Sequence, residues 1–214
     1  NKQNFAFAVY APLTYSEISW VQKTPIDTPK LLVSADENPL SNIQQYLQRY
    51  NLGAPVKINY IITGLQSWYM ITVTSISYVC ENDTTPKPLY ITNSDSGEKT
   101  PFGPIQVVID TGTTTCQNFL PAIAYSAKSQ SGATDDSCNL SEIKTLIFHT
   151  GTTELHIDLQ TINFDGDLGW GCDGLSNATW DSTVIGGDII FANYPAIVFD
   201  GQNQCGNLYF YPKN

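Results

Sequence analysis

The chain has 214 residues, 42% of them apolar, so it can build a real core and is not polar enough for disorder to be the default. Ten basic residues stand against 20 acidic ones, and a net charge of −10 argues against nucleic acid or an anionic membrane as partner. No apolar run approaches the roughly 20 residues of a membrane-spanning helix.

Strand-like runs come in series, at 5–10 (FAFAVY), 57–63 (KINYIIT), 69–79 (YMITVTSISYV), 105–110 (IQVVID), 145–149 (TLIFH), 154–159 (ELHIDL), 196–200 (AIVFD) and 207–212 (NLYFYP). Several alternate apolar with polar at period two, as half-buried antiparallel strands do. Helical patterns are few. Residues 41–50 open on Ser41, a candidate N-cap, and put Ile43, Tyr46, Leu47 and Tyr50 on one face. Residues 118–128 place Pro121 early, where a first helical turn tolerates it. A short helix at 188–194 stops before Pro195. No internal repeat or clear domain break is visible, so the expectation is one mainly β unit with a few short helices.

There is no signal peptide at Asn1, which reads as a cytosolic or an already processed chain. The sequons at Asn82, Asn139 and Asn177 fall in polar, turn-like stretches and favour processing, with these three as candidate glycosylation positions. Five cysteines (Cys80, Cys116, Cys138, Cys172 and Cys205) show no metal-binding spacing. In a secreted chain they read as one or two disulfides with one thiol left over.

The chemistry concentrates at QVVIDTGTTT, residues 106–115. Apolar residues run straight into Asp110, and Thr111, Gly112 and Thr113 follow. A carboxylate there can accept hydrogen bonds from backbone N–H groups and the Thr113 hydroxyl, which favours its ionised form and suits a base that holds a water. Gly112 allows close backbone approach. The same residues also fit an Asx-type turn that only satisfies its own backbone.

Three further stretches narrow the choice. INYIITGLQSWYMITVTSISYV (58–79) has an aromatic pair before Ile-Thr-Val. TLIFHTGTTELHIDL (145–159) is an apolar strand, a turn and a second apolar strand. VIGGDIIFANYPAIVFDGQNQCGNLYFYP (184–212) runs from an apolar pair and Gly-Asp through a short helix to a Val-Phe-Asp strand. With the strand, Asp-Thr-Gly-Thr-Thr turn and Leu-Pro-opened helix of 106–128, they resemble, in order and spacing, the second lobe of pepsin-like aspartic proteases. The resemblance covers 57–214 well, and 1–56 diverges, although FAFAVYAP (5–12) looks like the strand that enters that lobe.

The resemblance implies a mainly β fold, a single lobe of antiparallel sheets with a few short helices. It implies Asp110 as a catalytic carboxylate, a disulfide between Cys138 and Cys172, a polypeptide substrate, no cofactor and no metal. A secreted or vacuolar/lysosomal location follows from it.

The departures matter as much. LLVSADENPL (31–40) stands where the family has a Phe-Gly-Gly-Ile-Asp strand, and Ile185-Gly186-Gly187 has Gly at one expected bulky position. There is no first lobe, no second Asp-Thr-Gly and no Tyr-Gly flap. The family's chemistry needs two carboxylates sharing one proton, so that one acts as base and the other as acid. Asp188 and Asp200 are poor substitutes, since in the family pattern these positions cap a helix and end a strand. A partner is therefore expected: a separate N-terminal lobe or a second copy of this chain. The alternative is a non-catalytic protein-binding or inhibitor module on the same fold.

Other constellations weigh less. His149 and His156 bracket a turn and would meet across a hairpin, but two histidines without a third ligand make a poor metal site. DGDLGWGCDG (165–174) lacks the spacing and terminal Glu of a calcium loop. Trp20, Trp68, Trp170 and Trp180 are expected in the core or a lobe interface rather than in a ligand platform. Cys116 has no His near it in sequence and is expected to be paired or buried.

Overall fold

The computed structural model describes residues 5–16, 19–25, 27–63, 68–92, 96, 98–101, 103–111, 143–158, 182–201 and 205–214. The expected helix at 118–128 lies outside them, as do Gly112, Thr113, Cys116, Cys138, Asn139, the 165–174 stretch with Trp170 and Cys172, Asn177 and Trp180. Side chains are not described for Trp20 and Trp68.

Eight strands form the main sheet, in the spatial order β14-β11-β6-β5-β16-β15-β1-β4. They are β1 (Ala6–Tyr10), β4 (Lys30–Ser34), β5 (Val56–Thr63), β6 (Trp68–Val73), β11 (Ile105–Asp110), β14 (Ser182–Gly186), β15 (Ala196–Asp200) and β16 (Cys205–Tyr211). All neighbours run antiparallel except β11 and β14, which are parallel. A second sheet has the order β13-β12-β7-β8, from β7 (Ser75–Cys80), β8 (Lys87–Pro88), β12 (Ile143–His149) and β13 (Glu154–Asp158). Two small hairpins complete the described strands, β2 (Leu13–Ser16) with β3 (Ser19–Pro25) and β9 (Tyr90–Thr92) with β10 (Lys99–Pro101).

The larger core lies between the two sheets. Ile58, Ile71, Val73, Val107 and Phe210 from the main sheet meet Ile76, Leu146, Phe148 and Leu155 from the second. The other core lies under α1 (Pro39–Leu47), where Ile43 and Leu47 pack on Ala6, Ala8, Ala196 and Val198. Successive side chains on a strand point to opposite faces, so β15 sends Ala196 and Val198 to the helix and Ile197 and Phe199 to the inter-sheet core. That is why AIVFD reads as a continuous apolar run: the strand is buried on both faces.

Two expectations need correction. The run 69–79 is not one strand. Thr74 breaks it, because its N–H (2.7 Å) and hydroxyl (2.9 Å) both donate to the His149 carbonyl and swing the chain from one sheet to the other. Nor does Ser41 cap α1. The helix begins one turn earlier, with Asn38 at the N-cap position making no side-chain cap bond and Pro39 in the first turn. The second helix, α2 (Gly187–Asn193), ends two residues before Pro195 as expected. The stretch 31–40 keeps a strand, β4, despite its unlike sequence.

Candidate functional site

Asp110 closes β11. Ile105, Val107 and Ile109 point into the inter-sheet core, so Val108 and Asp110 share the opposite face. The strand is held on both sides: β6 pairs Val108 with Met70, and β14 pairs Asp110 with Gly186 in parallel register. The carboxylate therefore stands half-buried at the end of a clamped strand, beside a residue with no side chain, and Thr111 begins the turn that follows.

A cavity of about 190 Å³ opens there, lined by Val108, Ile109, Asp110 and Thr111 on one side and by Phe7, Tyr69 and Phe199 on the other. Phe7 and Phe199 are direct partners in the β1–β15 register and stack at 4.5 Å, almost parallel. Tyr69 stands edge-on to Phe199 at 4.8 Å and to Phe7 at 5.9 Å, and burial pushes its hydroxyl pKa up. The aromatic wall is the part that sequence reasoning missed. Phe7 and Phe199 sit at opposite ends of the chain, and only strand register brings them together; Tyr69 alone had a signal, as half of the aromatic pair before Ile-Thr-Val.

Asp200 is no second carboxylate for this cavity. It is not among the residues that line the cavity, and the side chains that act on it are Lys57 and Asn207. Burial raises its pKa, with the Lys57 charge and an Asn207 hydrogen bond acting the other way. Asp188 falls in the first turn of α2, and its side chain is not described.

The two histidines do meet across the β12–β13 hairpin, through Glu154. His149 Nδ1 lies 3.3 Å from one carboxylate oxygen and His156 Nε2 lies 3.1 Å from the other. His149 Nε2 is also hydrogen-bonded to Ser77 Oγ at 2.8 Å. Among the described residues, no three His, Cys, Asp or Glu side chains form a group that could hold a metal ion. Tyr194, just after α2, anchors this hairpin: its hydroxyl accepts from the His156 N–H (3.0 Å) and donates to the His156 carbonyl (2.8 Å). Asn193 adds a bond from the Asp158 N–H at 2.7 Å, which ties α2, the element after β14, to the second sheet.

A larger cavity of about 400 Å³, lined by Lys57, Asn59, Thr72 and hydroxyls of the 150–153 turn, does not reach Asp110. Asn82 is exposed in the turn after β7, where the neighbouring Asp83 accepts bonds from Thr84 and Thr85. Cys80 is disulfide-bonded, with its other half outside the described side chains. No described helix is long and apolar enough to cross a membrane.

Solved structures share this architecture. Basic 7S globulin from soybean matches over 96% of this chain and 51% of its own, with a TM-score of 0.50 and 14% identity. The fold is pepsin-like. An aspartic proteinase from Irpex lacteus matches at a TM-score of 0.48 and 13% identity, over 98% of this chain and 56% of its own. Conglutin gamma, a basic 7S globulin from lupine seeds, gives 0.47 and 15%, over 100% and 51%. The chain thus spans about half the length of the solved chains it resembles. No family model and no curated protein matches its sequence.

Proposed function

We propose that this chain is one lobe of an acid endopeptidase, in which Asp110 supplies one of two carboxylates that activate a water against a peptide carbonyl. The observation that carries the reading is the placement of Asp110. A strand buried on both faces delivers it, with Thr111, to the rim of a cavity whose far wall is Phe7, Tyr69 and Phe199. An extended polypeptide would lay apolar side chains on that wall while its backbone crosses the carboxylate.

Asp110 cannot both take and give the proton, so a second Asp-bearing lobe, from a separate chain or a second copy, completes the site. In the assembled pair one carboxylate is ionised and takes a proton from water as the oxygen attacks. The other, protonated, hydrogen-bonds the carbonyl oxygen and later protonates the leaving amine. In this reading Thr111 serves the carboxylate together with Gly112 and Thr113, which lie outside the described residues. Secretion or delivery to a vacuole or lysosome fits this use, and the exposed Asn82 sequon supports it.

The test is cleavage of a denatured protein at about pH 3–5, the range of a shared-proton dyad. Asp110→Asn is expected to abolish pepstatin-sensitive cleavage by the assembled protein while leaving its circular dichroism unchanged. Full activity in that variant overturns the assignment.

A second reading, a non-catalytic protein-binding or inhibitor module, draws on one observation: the cavity has a three-ring apolar wall and, among the described residues, a single carboxylate. It predicts that Asp110→Asn binds peptide as the parent does, with no cleavage by either.

A further inference from the structure

We propose that the cavity of about 400 Å³ between β5, β6 and the β12–β13 turn is a binding site for a sugar acid, a ring of hydroxyls that carries one carboxylate, as a uronic acid does. The site is independent of Asp110, which does not line it.

Its volume lies within the range of small-molecule sites and is many times the roughly 30 Å³ of one water. Such sites are mostly apolar with a few polar groups, whereas six of the eight residues that line this one are polar. Lys57 brings a cation, and among the described residues no acid joins the lining. Two acids stand close to these residues, and both are engaged elsewhere. Glu154, next after Thr153, is held by His149 at 3.3 Å and by His156 at 3.1 Å. Asp200 feels the Lys57 charge, but it takes a hydrogen bond from Asn207 and lies outside the lining. Lys57 itself forms no ion pair or hydrogen bond among the described residues.

The remaining groups set the character of the ligand. The Thr72 hydroxyl donates to Gln106 Oε1 at 3.1 Å and the Thr150 hydroxyl to the Thr153 carbonyl at 2.9 Å, which leaves both oxygens as acceptors. Asn59, Thr152 and Thr153 can each donate and accept. A sugar hydroxyl also does both and matches such a set, whereas a simple oxyanion would leave the acceptors unpaired. Ile58 and Ile61, the latter 47% exposed, offer apolar contact to the C–H groups of the ring. One lysine in a chain of net charge −10 suits a single carboxylate better than a multiply charged phosphate.

The walls are fixed before any ligand arrives. β5 lies between β6 and β16 in the main sheet. The turn is closed by the Thr150 N–H, which donates to the Thr153 carbonyl at 2.9 Å, and its base is tied to Thr74 through the His149 carbonyl. A site on such elements loses little freedom on binding.

The experiment is an amide NMR titration of the full chain with D-glucuronate at neutral pH. Shifts are expected at 57–61, 72 and 150–153, with a dissociation constant of about 1 mM. D-Glucose keeps the hydroxyls without the carboxylate, and acetate keeps the carboxylate without the hydroxyls; each is expected to bind at least about tenfold more weakly. Lys57→Gln and Thr152→Val change exposed side chains and are expected to leave the circular dichroism as it is. The first should weaken glucuronate binding at least about tenfold and the second about threefold. No shifts at about 50 mM glucuronate, shifts confined to other residues, or binding that both variants leave intact overturns the site. Equal binding of glucose or acetate, or tighter binding of a short acidic peptide, overturns the ligand class.

Discussion

At the scale of single residues, two aspartates at strand ends show how one bond's difference in position decides a role. Asp110 lines the cavity, whereas Asp200, next in sequence to the lining residue Phe199, is not among its lining residues. Burial raises the Asp200 pKa above its ordinary value. Its neutral form is therefore favoured in the folded protein: that stabilisation is present below the unfolded pKa and is lost as pH rises through the folded one. At neutral pH the charged Asp200 costs stability. Asp200→Asn is expected to raise the thermal midpoint at pH 7 and to leave it nearly unchanged near pH 3, as scanning calorimetry at the two pH values will show. Equal gains at both would contradict a burial effect. Asp110 itself was legible in the sequence, because an apolar run ending in Asp-Thr-Gly is a local pattern. The Phe7–Phe199 stack was not, because nothing local records which residue of β15 lies opposite β1.

At the scale of elements, close approach rather than propensity sets several limits. Gly206 on β16 passes the end of β15 where a Cβ would lie 2.5 Å from the Asp200 carbonyl oxygen and 2.7 Å from the Tyr60 hydroxyl. Those two atoms are themselves hydrogen-bonded at 2.7 Å. Gly206→Ala must break that bond or move the strand, and is expected to cost about 2–4 kcal/mol in denaturant unfolding. Gly151 is the control. Its φ of +89° disfavours a side chain, but nothing lies within 4 Å of the added Cβ, so Gly151→Ala should cost about 1 kcal/mol. Equal losses would remove the steric argument. The strands at 105–110 and 196–200 were readable from composition because burial on both faces demands continuous apolar residues. The break at Thr74 was not, because the alternation runs straight through it and the His149 carbonyl that turns the chain is distant in sequence.

At the scale of the molecule, the two cores are joined through β1, β15 and β16, which feed both. Phe199, Leu208 and Phe210 belong to the inter-sheet cluster; Ala8, Val198 and Tyr211 belong to the one under α1. The two cores should therefore unfold together. Leu47→Ala, at a site 2% exposed, is expected to lower the midpoint by about 5–15 °C while keeping one transition. Two separate transitions in calorimetry would show that the α1 layer melts independently.

The sequence by itself determined that the chain is mainly β, where most long strands and both described helices lie, and that Asp110 ends a buried strand. These follow from period-two alternation, apolar runs and Gly or Pro punctuation, all of which act over a few residues. Only the tertiary structure decided which strands are neighbours, and hence that Phe7, Tyr69 and Phe199 share a cavity with Asp110, that Asp200 is not in its lining, and that Leu31 and Val33 are exposed on the last described strand of the main sheet. Strand order and register are set by how two sheets and a helix bury their faces together, and that is a property of the whole assembly rather than of any stretch within it.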